Sequence, residues 1–245
     1  MQWMKVTQMN KTSSHIENKL RYKHIAAAWI ASNCETVDRL DYVHVLQKEL
    51  SKYGHRVDVY GKCGNLQCPR KEAMDECFAL IEQDYYFYLA FENSNSQDYV
   101  TEKLLHALEH YTVPVVLGGA NYSRFMPKGI YLDAGRLGPE RLAKRMNEIM
   151  NDEEKYYEFF KWHGYYSFHD TVEDRYHREI CGLCDLLNNK TRMKQTSIWH
   201  NLIQWWNVPF PATRPEWHLV LDDDDVVDTG IQGFANKLYN YVFES

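Results

Sequence analysis

Apolar positions along the chain cluster into short runs separated by amphipathic stretches. HIAAAWIASN (24–33) is a compact apolar run ending in small polar residues, the pattern of a buried strand. After it Leu40, Val43, Leu46 and Leu50 recur at helical spacing, with Asp38 as the expected cap and Gly54 as the stop. RVDVY (56–60) reads as a second strand, and a Gly/Cys/Pro loop (61–70) leads into a helix over about 71–83. YYFYLAFE (85–92) predicts a third strand. A helix capped by Asp98 follows, with Val100, Leu104, Ala107, Leu108 and Tyr111 on one face. VPVVLGG (113–119) predicts a fourth strand closed by a Gly pair, and later helices are expected near 139–150, 152–162 and 172–187. Strands alternating with helices predict an α/β fold, a Rossmann-like parallel sheet with crossover helices, over 24–187. Residues 1–23 read as a polar tail, and 188–245 as a Trp-rich and acidic C-terminal extension.

Composition narrows the classes. Of 245 residues, 44% are apolar and 25% charged, which suits a packed globular chain. The net charge of −6 comes with no basic block, which argues against nucleic-acid binding. No run of about 18 apolar residues exists to span a membrane. Six cysteines (Cys34, Cys63, Cys68, Cys77, Cys181 and Cys184) and sequons at Asn10, Asn121 and Asn189 together point to a secretory lumen, where disulfides persist. Cys34 with Cys77 and Cys63 with Cys68 are plausible bridges, although connectivity does not follow from sequence.

The chemistry concentrates in FENSNSQDYVTEKLLHAL (91–108), where a strand turns into a helix. Ligands of parallel sheets sit at such carboxyl ends, facing the free N–H groups of helix N-termini. Asn93 and Ser94 offer hydrogen bonds there. Tyr99, Glu102 and Lys103 are spaced to share one side of the first helical turns, a cation for a diphosphate and a carboxylate for ribose hydroxyls. On pattern alone, a solvated helix face after a polar turn explains the same residues.

The run FYLAFENSNSQDYVTEKLLHALEHYTVPVVLG (87–118) resembles the donor-binding motif of the α1,3-fucosyltransferases of glycosyltransferase family 10. AWIASNCETVDRL, VDVYGKCG, CGNLQCPR and CGLCDLL are similar to the same family, most of all to the core α1,3-fucosyltransferases of invertebrates and plants. The resemblance implies the donor lobe of a GT-B-type enzyme. It places Ser32 and Asn33 near the donor, Arg39 and Lys103 at the GDP phosphates, Asn93 in the pocket, Tyr99 on the nucleotide or fucose and Glu102 on the ribose. It further implies transfer of L-fucose from GDP-fucose, with inversion, to N-acetylglucosamine of protein N-glycans. The expected setting is the Golgi cisterna membrane, as a single-pass type II protein whose anchor is not in this sequence. Mn²⁺ has room in GDP release, with no metal ligand named. The family's other lobe binds the acceptor and supplies the general base, and no residue here is matched to that role. Residues 1–23 then read as a tail or a remnant of that lobe. In the family the terminal CxxC pair helps tie the lobes together.

Rival readings are a non-catalytic nucleotide- or glycan-binding module and a CxxC oxidoreductase at Cys181 and Cys184. The acids Asp222–Asp225 suit a solvated run better than a metal site. The segment IWHNLIQWWNVPFP (198–211) suits helix packing, and His163 and His169 suit packing among aromatics.

Overall fold

The computed structural model describes residues 4–34, 37–68, 74–167 and 172–194. Five parallel strands run in the order β2-β1-β3-β4-β5. They are β1 (Ile25–Ile30), β2 (Val57–Tyr60), β3 (Tyr85–Phe91), β4 (Val113–Leu117) and β5 (Leu132–Asp133). The helices are α1 (Ser14–Leu20), α2 (Val37–Ser51), α3 (Met74–Asp84), α4 (Glu102–Glu109), α5 (Ala134–Met150), α6 (Glu153–Glu158) and α7 (Val172–Asn188). The order reverses between β1 and β3, which creates the switch point where doubly wound sheets hold ligands.

The central strands are apolar throughout because both of their faces are covered. On β3, Tyr88 and Ala90 join a core with Phe78 and Ile81 of α3 and Leu104 and Ala107 of α4. Phe91, on the alternate face, meets Trp29 of β1 and the ring of Tyr42 from α2. The Tyr42 hydroxyl donates to the Ala134 carbonyl at 2.8 Å, joining α2 to the start of α5. Gly138, at φ +69°, breaks α5 after its first turn, and Pro139 restarts it where the sequence predicts a helix.

Residues 4–20 differ from the expected polar tail. Val6, Met9, Ile16 and Leu20 are buried. The backbone N–H groups of Met4 and Asn10 donate to the hydroxyls of Tyr166 and Tyr165, and Thr12 donates to the Tyr157 carbonyl. Four apolar residues too irregularly spaced to show a period are still buried, Val6 and Met9 in the core beside α3 and α4.

The cysteine pairing is corrected. Cys34 bonds Cys63, and Cys68 bonds Cys77. Parallel β1 and β2 are neighbours, so the loops leaving them run side by side and bring Cys34 to Cys63, a proximity set by strand order. Cys181 and Cys184 are exposed, unbridged thiols on α7.

Lys23 is buried beneath α3, with Nζ donating to the carbonyls of Glu82 (2.6 Å) and Tyr85 (2.9 Å). Burial pulls its pKa down to about 7, against the nearby Glu82 and Asp84 charges. The folded value lies below the unfolded one of about 10.4, so the folded chain binds fewer protons between them and stability grows as pH rises. Wild-type resistance to urea is expected to increase from pH 7 to pH 9, by up to about 2 kcal/mol, before tyrosine ionisation intervenes. Lys23→Met is expected to flatten that slope. An equal slope in both proteins, measured by urea unfolding, would refute the assignment.

Candidate functional site

A cleft of about 390 Å³ opens at the carboxyl ends of β1, β3, β4 and β5. That volume is in the range of small-molecule sites. Its walls are Asp38 and Arg39 at the start of α2, Glu92–Asn95 after β3, Leu117–Ala120 after β4, and Asp133, Gly135 and Arg136 at the start of α5. The loops leaving the carboxyl ends of neighbouring parallel strands put these groups together, as the sheet topology requires.

Arg39 is buried, at 7% exposure. Its guanidinium donates to the Phe91 carbonyl at 3.1 Å and to the Asn33 carbonyl at 3.0 Å, and it lies 5.6 Å from the Trp29 ring centre. Burial lowers its pKa, while Glu92 and Tyr99 oppose that shift. One cation thus ties together the loops after β1 and β3. Ser32 flanks the same loop beside Gly61, whose φ of +92° and approach to the Ala31 carbonyl exclude a side chain.

The loop after β3 departs from its expected form. Helix α4 begins at Glu102, with Thr101 before it. Asp98 is no cap: it adopts a left-handed backbone at φ +58° and pairs with Arg124. Tyr99 therefore precedes the helix instead of sharing its face with Glu102 and Lys103, and its hydroxyl donates to Asn93 Oδ1 at 3.0 Å. The reason is Glu92. Its buried carboxylate accepts from the Thr101 N–H at 2.8 Å and from the Thr101 hydroxyl, which delays the helix by keeping Thr101 extended.

Lys103 lies against this group. Its Nζ donates to Thr101 Oγ1 at 2.7 Å, Glu92 Oε2 at 3.2 Å and Glu102 Oε1 at 3.3 Å. Partial burial opposes ionisation of Glu102, but its own backbone N–H, Lys103 and Thr101 outweigh that and hold the carboxyl below its ordinary value. Of the residues expected at the site, Arg39 and Asn93 line the cleft. Asn33 and Tyr99 bond to them, and Lys103, bonded to Glu92 and Glu102, lies outside the cleft wall.

Sequence reasoning missed Glu92, Asp133 and Arg136. Glu92 was visible in FENS but read as the end of a strand. Asp133 is the second residue of β5, whose two residues are too few for any hydropathy pattern. Its carboxylate accepts from the Arg136 N–H at 3.1 Å, and burial raises its pKa against that bond and the Arg136 charge. On the β4 side, a side chain at Gly119 would strike the Ser96 carbonyl at 2.7 Å, so the Gly pair lets two cleft loops touch.

The remaining candidates lie away from the cleft or outside the described residues. His163 stacks on Trp162 and Tyr111, and burial lowers its pKa to about 4, the behaviour of a packing residue. Asn10 and Asn121 are exposed and Asn189 is half-buried. Among the described residues, no three His, Cys, Asp or Glu side chains gather to hold a metal, and no helix is long and apolar enough to cross a membrane. His169, the Trp-rich segment and Asp222–Asp225 lie outside the described residues.

The model of the C-terminal region of glycosyltransferase family 10 (fucosyltransferase) matches residues 20–206. This chain belongs to glycosyltransferase family 10. Among its relatives, α-(1,3)-fucosyltransferase C of Drosophila melanogaster is 40% identical over 181 residues, covering 74% of this chain and 40% of that protein. Glycoprotein 3-α-L-fucosyltransferase A of the same organism is 35% identical over 228 residues, covering 91% of this chain and 42% of that protein. A solved α1,3-fucosyltransferase with GDP-fucose superposes with a TM-score of 0.54 at 18% identity, over 74% of this chain and 50% of that one. At that identity the likeness speaks for the fold alone. The family-10 chain described here spans half or less of the length of these proteins.

Proposed function

We propose that this family-10 chain carries the donor-binding domain of an α1,3-fucosyltransferase, and that the cleft binds the GDP portion of GDP-fucose. The protein would transfer L-fucose with inversion to N-acetylglucosamine of N-glycans, in the Golgi lumen. The observation that carries the reading is the position of Glu92, Asn93 and Ser94 of the FENS motif in the wall of the switch-point cleft, beside Arg39.

The chemistry follows from charge. As the bond from fucose to GDP breaks, negative charge grows on the diphosphate, and fixed cations with helix N–H groups stabilise it. Lys103 and the N-terminal turn of α4 supply that field, and Arg39 holds the loops that shape it. Glu102 is suited to accept the ribose hydroxyls, and Tyr99 with Asn93 to contact the nucleotide or fucose. No general base is assigned among the described residues.

Titration of the 245-residue chain with GDP in a calorimeter tests this. Saturable binding is expected, weakened about tenfold or more in Lys103→Ala, the size of a lost charge-assisted bond. The variant's folding is held by the Thr101 donors to Glu92, but removing the cation from that buried carboxylate should cost about 3 kcal/mol, read in a melt run beside the titration. A folded wild-type chain that ignores GDP would remove the donor-site reading. GDP binding without fucose transfer, with acceptor in excess, would instead favour a non-catalytic nucleotide-binding module.

A further inference from the structure

We propose that Glu92 is a positioning residue of the donor site, which acts by holding Lys103 where it meets the diphosphate; this rests on the donor-site reading above. Glu92 is 4% exposed, and both of its carboxylate oxygens accept hydrogen bonds. Thr101 donates to it from both its N–H and its hydroxyl, and the same hydroxyl accepts from Lys103 Nζ at 2.7 Å. The Thr101 hydroxyl thus relays between carboxylate and ammonium. The Glu92 backbone N–H donates to the Leu117 carbonyl at 2.8 Å, which ties the arrangement to the end of β4.

An ammonium has three protons to donate, and all three of its described acceptors are protein oxygens. They are not equivalent. Glu92 has a side chain only 1% exposed, so losing its cation would leave a buried carboxylate poorly compensated, a costly state. The Glu102 side chain is 62% exposed, and its contact with Lys103 at 3.3 Å is a solvent-screened pair of little worth. An arriving diphosphate oxygen therefore displaces Glu102 and leaves Glu92 and Thr101 in place. That exchange also frees the Glu102 carboxylate for a pair of hydroxyls. Glu92 adds negative charge behind the diphosphate, but it is already neutralised by Lys103, and without it the lysine's flexible stem would return to solvent.

The test is a double-mutant cycle on GDP affinity, using wild type, Glu92→Gln, Lys103→Ala and the double variant, each with its thermal melt. Gln keeps an acceptor for Thr101 but loses the charge that holds Lys103. The expected result is about a tenfold loss in Glu92→Gln and less than about a twofold further change when the same substitution is made in Lys103→Ala. Equal losses in both backgrounds, or no loss from Glu92→Gln in a wild type that binds, would overturn this inference alone. Absence of GDP binding by the wild type would overturn the donor-site reading and this inference with it. If Glu92→Gln does not fold, Thr101→Val interrupts the relay with Glu92 intact. It should weaken GDP binding, and again only when Lys103 is present; a loss independent of Lys103 overturns the inference.

Discussion

Arg39→Ala is expected to cause the largest combined loss of any single substitution in the cleft. The guanidinium donates to the carbonyls of Phe91 and Asn33 and lies near Trp29, and Ala removes both bonds and leaves a cavity. Loss of two charge-assisted bonds at a buried position costs about 3 kcal/mol, read as a lower urea midpoint. The loops after β1 and β3 are then no longer tied together, so GDP affinity is expected to fall by about a hundredfold. Arg39→Lys should rescue little. A single ammonium on a flexible stem does not reproduce a planar fork that reaches two carbonyls and lies 5.6 Å from an indole centre. Near-wild-type binding by Arg39→Lys would show that only charge matters at this position.

The second large effect is expected from the Cys34–Cys63 bridge. It closes a loop with a sequence separation of 29, for which chain entropy gives a stabilisation of roughly 3.5 kcal/mol. Cys68–Cys77 spans a separation of 9, and the same relation gives roughly 2.5 kcal/mol. Cys34→Ser with Cys63→Ser should therefore lower the free energy of unfolding more than the corresponding pair at Cys68 and Cys77. Cys34 also follows Asn33, whose carbonyl Arg39 holds, so the first pair should weaken GDP binding while the second leaves it nearly intact. Denaturant unfolding and GDP titration of the two double variants would check both statements. The reverse ranking in stability would refute the loop-entropy account.

The contrast between these bridges shows where sequence reading stops. Hydropathy carried the four main strands and most of the helices. A strand buried on both faces must be a continuous apolar run, and a helix against a sheet must repeat its apolar residues near every third or fourth position. Tyr85–Phe91 and Val113–Leu117 match the expected runs within a residue or two, and the helix restarting at Pro139 begins where expected. The FENS and DYVTEKL residues identified the family because a long ordered motif carries far more information than any spacing rule.

Strand order was not local information, so the cysteine partners were not either. Cys34 meets Cys63 because β1 lies beside β2, and nothing along the chain states that adjacency. The same holds for β5, two residues long and formed only because β4 offers an open edge. The N-terminal segment looked polar because its few apolar residues lack a period, yet each is buried in the folded chain. Helix α4 starts late because a carboxylate nine residues upstream captures the Thr101 N–H, and a capping rule read from neighbours alone chose Asp98 instead. By itself, then, the sequence determined the elements, the fold class and the family, since burial patterns and motif order are written along the chain. The tertiary structure alone decided the bridges, the start of α4, and the meeting of Arg39 and Glu92 in one cleft wall with Lys103 bonded to Glu92, since each depends on groups brought together by the sheet.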